Sequence, residues 1–175
     1  MSIEEYIAAM LPMVELLDRE KKVNPKGYKK RQLWYLYRQY FYGFAEFIDR
    51  EILFNASKKA QTEFEIQQPG RRLVNQDWKD QPQFDQGRKI FNLDHIYTGE
   101  MFRNAVDTLI SEDELSVEKI AMLIRNNYRM AWILKDEERR LHRSKRGKTL
   151  NDALKEYSKC EIVLEKKEET EANKS

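Results

Sequence analysis

The amino-acid sequence predicts a mainly α-helical fold: a single helical domain with a long aromatic-rich helix and a small β element. Three features point that way. Capping residues stand ahead of apolar residues spaced three and four apart, no proline occurs between Tyr28 and Glu65, and only short stretches alternate as strands do.

The first helix starts at Ser2, which forms a capping box with Glu5, and Ile3, Ile7, Leu11, Val14 and Leu17 or Asp18 follow at helical spacing. Pro12 lies inside this pattern and predicts a kink or a joint between two shorter pieces. Asn24-Pro25-Lys26-Gly27 reads as the turn that stops it. From Tyr28 to about Glu65 only Gly43 interrupts, so the expectation is one long helix or a tightly joined pair. Nine of the twenty aromatic residues fall between Trp34 and Phe54. Within that stretch Leu33, Tyr37, Tyr40, Phe44, Ile48 and Ile52 make a stripe that reads as the spine of the core. The same aromatic helix offers a surface for a homo-oligomer.

Residues 67–88 are polar and broken by Pro69, Gly70, Pro82 and Gly87, which predicts a long ordered loop anchored by Trp78 and Phe84. Arg88 to Ile96 alternates as a strand. Thr98 caps a helix to about Ile110, with Met101, Phe102, Ala105, Val106 and Leu109 on its apolar side. Ser111-Glu112-Asp113-Glu114 offers another capping box, and Ser116 starts a helix from Val117 to about Arg125. Tyr128 to Ile133 reads as a short strand, Lys135 to Arg143 as a short helix, and Thr149 as the cap of a helix through Tyr157. Cys160 to Leu164 reads as a last short strand. Residues 1–164 then form the domain. Residues 165–175, apolar only at Ala172, form a disordered charged tail.

Composition narrows the class. With 175 residues and 41% of them hydrophobic, the chain can bury a core, which excludes wholesale disorder. No apolar run approaches the ~20 residues of a membrane span, and the acidic start MSIEEYIAAM lacks the basic flank of an export signal. A single cysteine, Cys160, fits a reducing compartment. The expectation is a cytoplasmic protein with no membrane partner.

Net charge is only +2, but it is unevenly spread: residues 21–50 and 125–148 each carry a net +6, while residues 1–20 carry −4 and 149–175 carry −2. The basic blocks supply a candidate nucleic-acid surface, Lys29, Lys30 and Arg31 in one and Arg139, Arg140, Arg143, Lys145 and Arg146 in the other. Ordinary solvated helix faces account for them equally well.

Any histidine chemistry must use His95 or His142, since there are no others. Asp94 and His95 close the central strand. If the strand ends there, the carboxylate can hold a divalent cation while the imidazole takes a proton from water. If it continues, the two side chains point to opposite faces. No GxxxxGK[ST], GxGxxG or GxSxG pattern occurs, and the acids near Cys160 disfavour a thiolate.

Leu93-Asp94-His95-Ile96 resembles the Asp-His-Ile segment that opens the ββα-metal site of HNH endonucleases. Asn127 to His142 is similar to that family's second half, in which an Asn opens a short apolar segment and a helix supplies the last polar ligand. The resemblance covers about residues 88–143. It implies a DNA phosphodiesterase using Mg²⁺ or Mn²⁺, with His95 as general base, Asp94 as metal ligand, Asn127 or its neighbour Asn126 orienting the base, and Glu137 or His142 as the last ligand. Arg88 and His95 also match the loosest Arg-xₙ-His spacing of HEPN ribonucleases, a motif that needs a helix where Ile90 to Leu93 favours a strand. The rival expectation is a non-enzymatic helical module that binds nucleic acid or protein, such as an accessory factor in phage biology or bacterial defence.

Overall fold

The computed structural model describes residues 2–30, 55–142 and 146–166. The chain divides into two units, residues 1–51 with 98–128 and residues 52–97 with 129–175. The aromatic stretch from Trp34 to Phe54, and with it the spine helix and its oligomer surface, lies outside the described residues.

In the first unit, helix α1 runs unbroken from Ile3 to Val23, with the Ser2–Glu5 capping box in place. Pro12 lies inside it on the exposed side and does not divide it. Asn24 ends α1 and also starts α2 (Pro25–Lys30), because its side-chain oxygen accepts from the Gly27 amide at 2.9 Å. A Cβ on Gly27 would lie 2.3 Å from Nδ2 of that asparagine, so a larger residue there would push the capping side chain aside. The expected turn is thus a helix-to-helix junction. Thr98 caps α5 (Gly99–Ser111) and Ser116 caps α6 (Val117–Asn127). Ile3, Ile7, Val14 and Leu17 of α1 are buried, as are Met101, Phe102 and Val106 of α5 and Ile120, Ala121 and Ile124 of α6. Exposed ion pairs Lys21–Asp107 and Arg125–Glu4 add little to that burial.

The second unit holds a four-stranded mixed sheet of β1 (Asn55–Ser57), β2 (Phe91–His95), β3 (Met130–Leu134) and β4 (Leu164–Lys166), in the order β2-β3-β1-β4. β3 pairs antiparallel with β2 and parallel with β1, and β4 runs antiparallel to β1. Helices α3 (Lys58–Gln67), α4 (Gln81–Phe84), α7 (Lys135–Arg140) and α8 (Leu150–Lys159) complete it. Facing residues on paired strands share a side of the sheet. One side carries Ala56, Trp132 and Phe91, joined by Ala60 and Phe64 of α3 and by Leu73 and Val74. Phe84 meets Phe64 edge-on at 5.1 Å and Trp132 at 5.9 Å. Such pairs contribute about 0.5–1.5 kcal/mol beyond their buried area.

The fold is therefore α+β, which corrects the expected mainly helical class. The sheet draws its strands from sequence-distant pieces. Asn55–Ser57, expected inside a helix, is a strand because it pairs with β3 and β4, and Ser57 then caps α3. The last strand begins at Leu164 rather than Cys160, because Cys160, Glu161 and Ile162 still bond back to the end of α8. Glu165 and Lys166, assigned to the tail, belong to β4. Ser111 does not start a new helix; its hydroxyl donates to the Thr108 carbonyl.

Residues 68–90 form two 3₁₀ turns, Leu73–Asn75 and Trp78–Asp80, followed by α4. Phe84 anchors the segment in the aromatic core, whereas Trp78 is exposed. Asp85, buried, organises the return to β2: its carboxylate accepts from the amides of Lys89, Ile90 and Phe91 and from the Gln81 side chain. Burial alone would raise its pKa, but those four donors hold it below the ordinary carboxylate value. Asp85→Ala orphans buried amides, and is expected to lower stability by about 2–4 kcal/mol in urea unfolding near neutral pH. Because the folded pKa is the lower one, this contribution is full above the ordinary value and is lost as pH falls through the depressed one.

Candidate functional site

β2 continues as a strand through His95, which faces Met130, while Asp94 faces Ala131. The two side chains therefore leave the strand on opposite sides. His95 lies on the side of Trp132 and Phe91. Burial keeps its imidazole below the ordinary pKa, Asp94 pulls it back up, and Arg146 pushes it down again, so the ring is neutral near neutral pH.

Asp94 enters a buried polar cluster on the other side. Arg146 places Nη2 2.8 Å from Asp94 Oδ2 and donates from Nη1 to the His95 carbonyl at 2.8 Å. The Tyr157 hydroxyl donates to the same Asp94 oxygen, and the Arg146 guanidinium lies 5.7 Å from the Tyr157 ring centre. Asp94 is 9% exposed, Arg146 3% and Tyr157 1%. Burial and the neighbouring Asp94 carboxylate push the Tyr157 phenol up, so it stays a donor.

The chain builds this cluster locally. Gly147 has φ +71, and a Cβ there would lie 2.4 Å from Asp152 Cβ. That glycine lets the chain turn from Arg146 into the Thr149 cap of α8, where Asp152 accepts from the Thr149 hydroxyl at 2.8 Å. α8 then carries Tyr157 to Asp94. A second buried knot involves Glu137, whose Oε2 accepts from the Ser57 hydroxyl at 2.5 Å and from the Leu134 amide at 2.9 Å. Arg140 stands 4.0 Å from Glu137 and donates to the Cys160 carbonyl at 2.7 Å.

The expected site residues scatter. Leu134, which holds Glu137, sits three residues along the ladder from Ala131, the partner of Asp94. Glu137 and Asp94 answer to different donors, Ser57 and Leu134 for one, Arg146 and Tyr157 for the other. His142 is exposed beyond the end of α7. Asn127 belongs to the first unit and donates its side-chain amide to the Leu123 carbonyl; the neighbouring Asn126 is exposed. Among the described residues no three His, Cys, Asp or Glu side chains form a metal-ligand group. The divalent cation implied by the resemblance does not fit these residues, because Asp94 already answers to a buried guanidinium and a phenol.

The basic residues also divide. Arg139 is exposed and paired with Asp136 at 2.9 Å, Arg140 is engaged by Cys160 and Glu137, and Arg146 is buried on Asp94. Lys29 and Lys30 end α2 of the first unit, and Arg31, Arg143 and Lys145 lie outside the described residues. Arg88 is in a turn rather than a helix, so the Arg-xₙ-His motif lacks its helical frame. No helix among the described residues is long and apolar enough to cross a membrane.

Compared with protein-family models, curated proteins and solved structures, the chain matches none. Its site must be argued from its own geometry.

Sequence reasoning missed Tyr157 and Ser57 as site members and read Arg146 as a phosphate contact. The one local signal for Arg146 was the glycine and capping threonine after it, which fix its place before a helix. Arg146→Met leaves Asp94 buried without its cation, and is expected to lower stability by about 3–5 kcal/mol in urea unfolding. Tyr157→Phe, which removes one hydrogen bond, is expected to cost about 1–2 kcal/mol. In an NMR titration His95 is expected to protonate below 6.5 in the intact protein and at higher pH in Arg146→Met.

Proposed function

We propose that the chain is a nucleic-acid-binding module built on a nuclease-like strand–strand–helix frame, rather than a metal-dependent enzyme. The observation that carries this reading is the closure of Asp94 by Arg146 and Tyr157. A carboxylate that serves a divalent cation must be free to meet it. This one faces a fixed guanidinium in a buried cluster, and exchanging it would leave the arginine charge stranded.

The frame supports the nucleic-acid part. β2 and β3 pair antiparallel, and α7 follows β3 directly, in the order of the ββα element that the sequence resembles. Phosphate binding by unneutralised lysines and arginines needs no metal and no cleavage.

A second reading, a DNA-cleaving nuclease of the HNH kind, draws on His95. Its ring is neutral near neutral pH and sits at the end of β2, which suits a general base.

The discriminating test uses the full chain with labelled single-stranded and duplex DNA and with supercoiled plasmid, in Mg²⁺, Mn²⁺ or EDTA. The expected result is binding that is indifferent to EDTA, weakens about tenfold or more from about 50 to about 200 mM salt, and leaves the plasmid intact. Metal-dependent nicking that His95→Ala abolishes would overturn this reading in favour of the nuclease. Absence of binding at low salt would overturn it altogether.

A further inference from the structure

The geometry points to a docking surface for single-stranded nucleic acid at Trp78, Lys79, Arg88 and Lys89, an inference that rests on the nucleic-acid reading and gives it a place. The segment from 71 to 89 carries five bases and three acids. The segment keeps a net charge of +2, and among the described residues none of its acids pairs with Lys79, Arg88 or Lys89. Asp77 accepts from the Lys79 amide at 2.9 Å, Asp80 from the Gln83 side chain at 3.0 Å, and Asp85 takes four donors in the interior. Among the described residues Lys79, Arg88 and Lys89 have no acidic partner, and all three are exposed. The exposed Arg71 guanidinium donates to two neutral side chains, Gln68 and Gln76.

Beside Arg88 stands an exposed indole. The Arg88 guanidinium lies 5.1 Å from the Trp78 ring centre, so the two make a cation–aromatic stack at the surface. Indole and guanidinium are both planar groups on which an unpaired base stacks. A duplex hides its base faces, so this surface suits a single strand, with phosphates meeting Lys79 and Lys89. An acidic peptide would use the charges and leave the ring idle.

The backbone adds an independent reason. Gly87 and Arg88 both have positive φ, +77 and +52. Glycine is at ease there; arginine is strained. The Arg88 amide bonds to the Asp85 carbonyl at 2.8 Å, an interaction glycine would keep. Folding alone therefore favours a second glycine here, as it does at Asp113 and Glu161, which share the positive φ; at Arg88 the side chain also lies on the face of an exposed tryptophan.

The test is a titration of the full chain with oligo(dT), read by tryptophan fluorescence and by anisotropy of the labelled strand. Trp78→Phe assigns the fluorescence change among the three tryptophans. Quenching is expected in the native chain and not in Trp78→Phe, with affinity about tenfold weaker in Trp78→Ala. Arg88→Gly is expected to unfold at higher urea than the native chain yet bind more weakly, with a salt slope smaller by about one. A structural role for Arg88 would give the opposite sign of stability change. If oligo(dT) binds but these variants match the native chain, the surface is wrong while the nucleic-acid reading stands. If polyglutamate displaces oligo(dT) at equal charge, the surface is one for acidic peptides and the inference falls. If no nucleic acid binds, both fail together.

Discussion

The buried pair of Asp94 and Arg146 ties together the parts of the second unit that are far apart in sequence. A carboxylate nine-tenths buried costs several kcal/mol unless a counter-charge and donors meet it. The chain supplies both from its far end, Arg146 and Tyr157, and in doing so ties the turn before α8 and α8 itself to β2. Because Arg146 also holds the His95 carbonyl, it fixes the end of the β2 strand and, through its charge, helps keep the imidazole neutral. Placement of α8, the protonation of His95 and the unsuitability of Asp94 for a cation thus follow from one buried pair.

The two sides of the sheet are stabilised by different physics. On one, Phe64, Phe84, Phe91 and Trp132 meet edge-on, a packing that tolerates small shifts in distance. On the other, Asp94, Arg146, Tyr157, Glu137 and Ser57 depend on hydrogen bonds of fixed length and direction. Breaking such a network strands charge, so it contributes less to net stability than to fixing one arrangement. Ser57 joins the two: its hydroxyl accepts from the Ala60 amide to start α3 and donates to Glu137.

Helices α1, α5, α6 and α8 were legible because their signals are local. Ser2, Thr98, Ser116 and Thr149 each accept from an amide within the next three residues, and such a cap can be read in a short window. The sheet was legible only in part. β2 alternates in its own right and β3 is a short apolar run, but Asn55-Ala56-Ser57 has no strand pattern and is extended only because β3 and β4 flank it. The Asp94–His95 pair was visible as chemistry, and the alternative that sends its side chains apart was visible too. What decided between them was pairing with β3, a long-range fact. Arg146 escaped for a related reason: the glycine and capping threonine after it fix its place before a helix, but nothing local says that its guanidinium goes to the interior.

That distinction also orders the functional argument. Counting bases along the chain gives Arg139, Arg140 and Arg146 the same weight as Lys79, Arg88 and Lys89. The structure weighs them differently, by asking which acids are already taken. Arg146 answers to buried Asp94 and Arg140 to Glu137 and the Cys160 carbonyl, so a phosphate would have to displace those partners, while Arg139 has only an exposed pair with Asp136. Around Trp78 the acids are engaged by the segment's own donors, and the cations are left to solvent. A phosphate arriving there displaces only water and counterions, and the release of those ions drives such binding. Unspent charge beside an exposed ring, rather than total charge, is what makes a surface fit for a nucleic-acid strand.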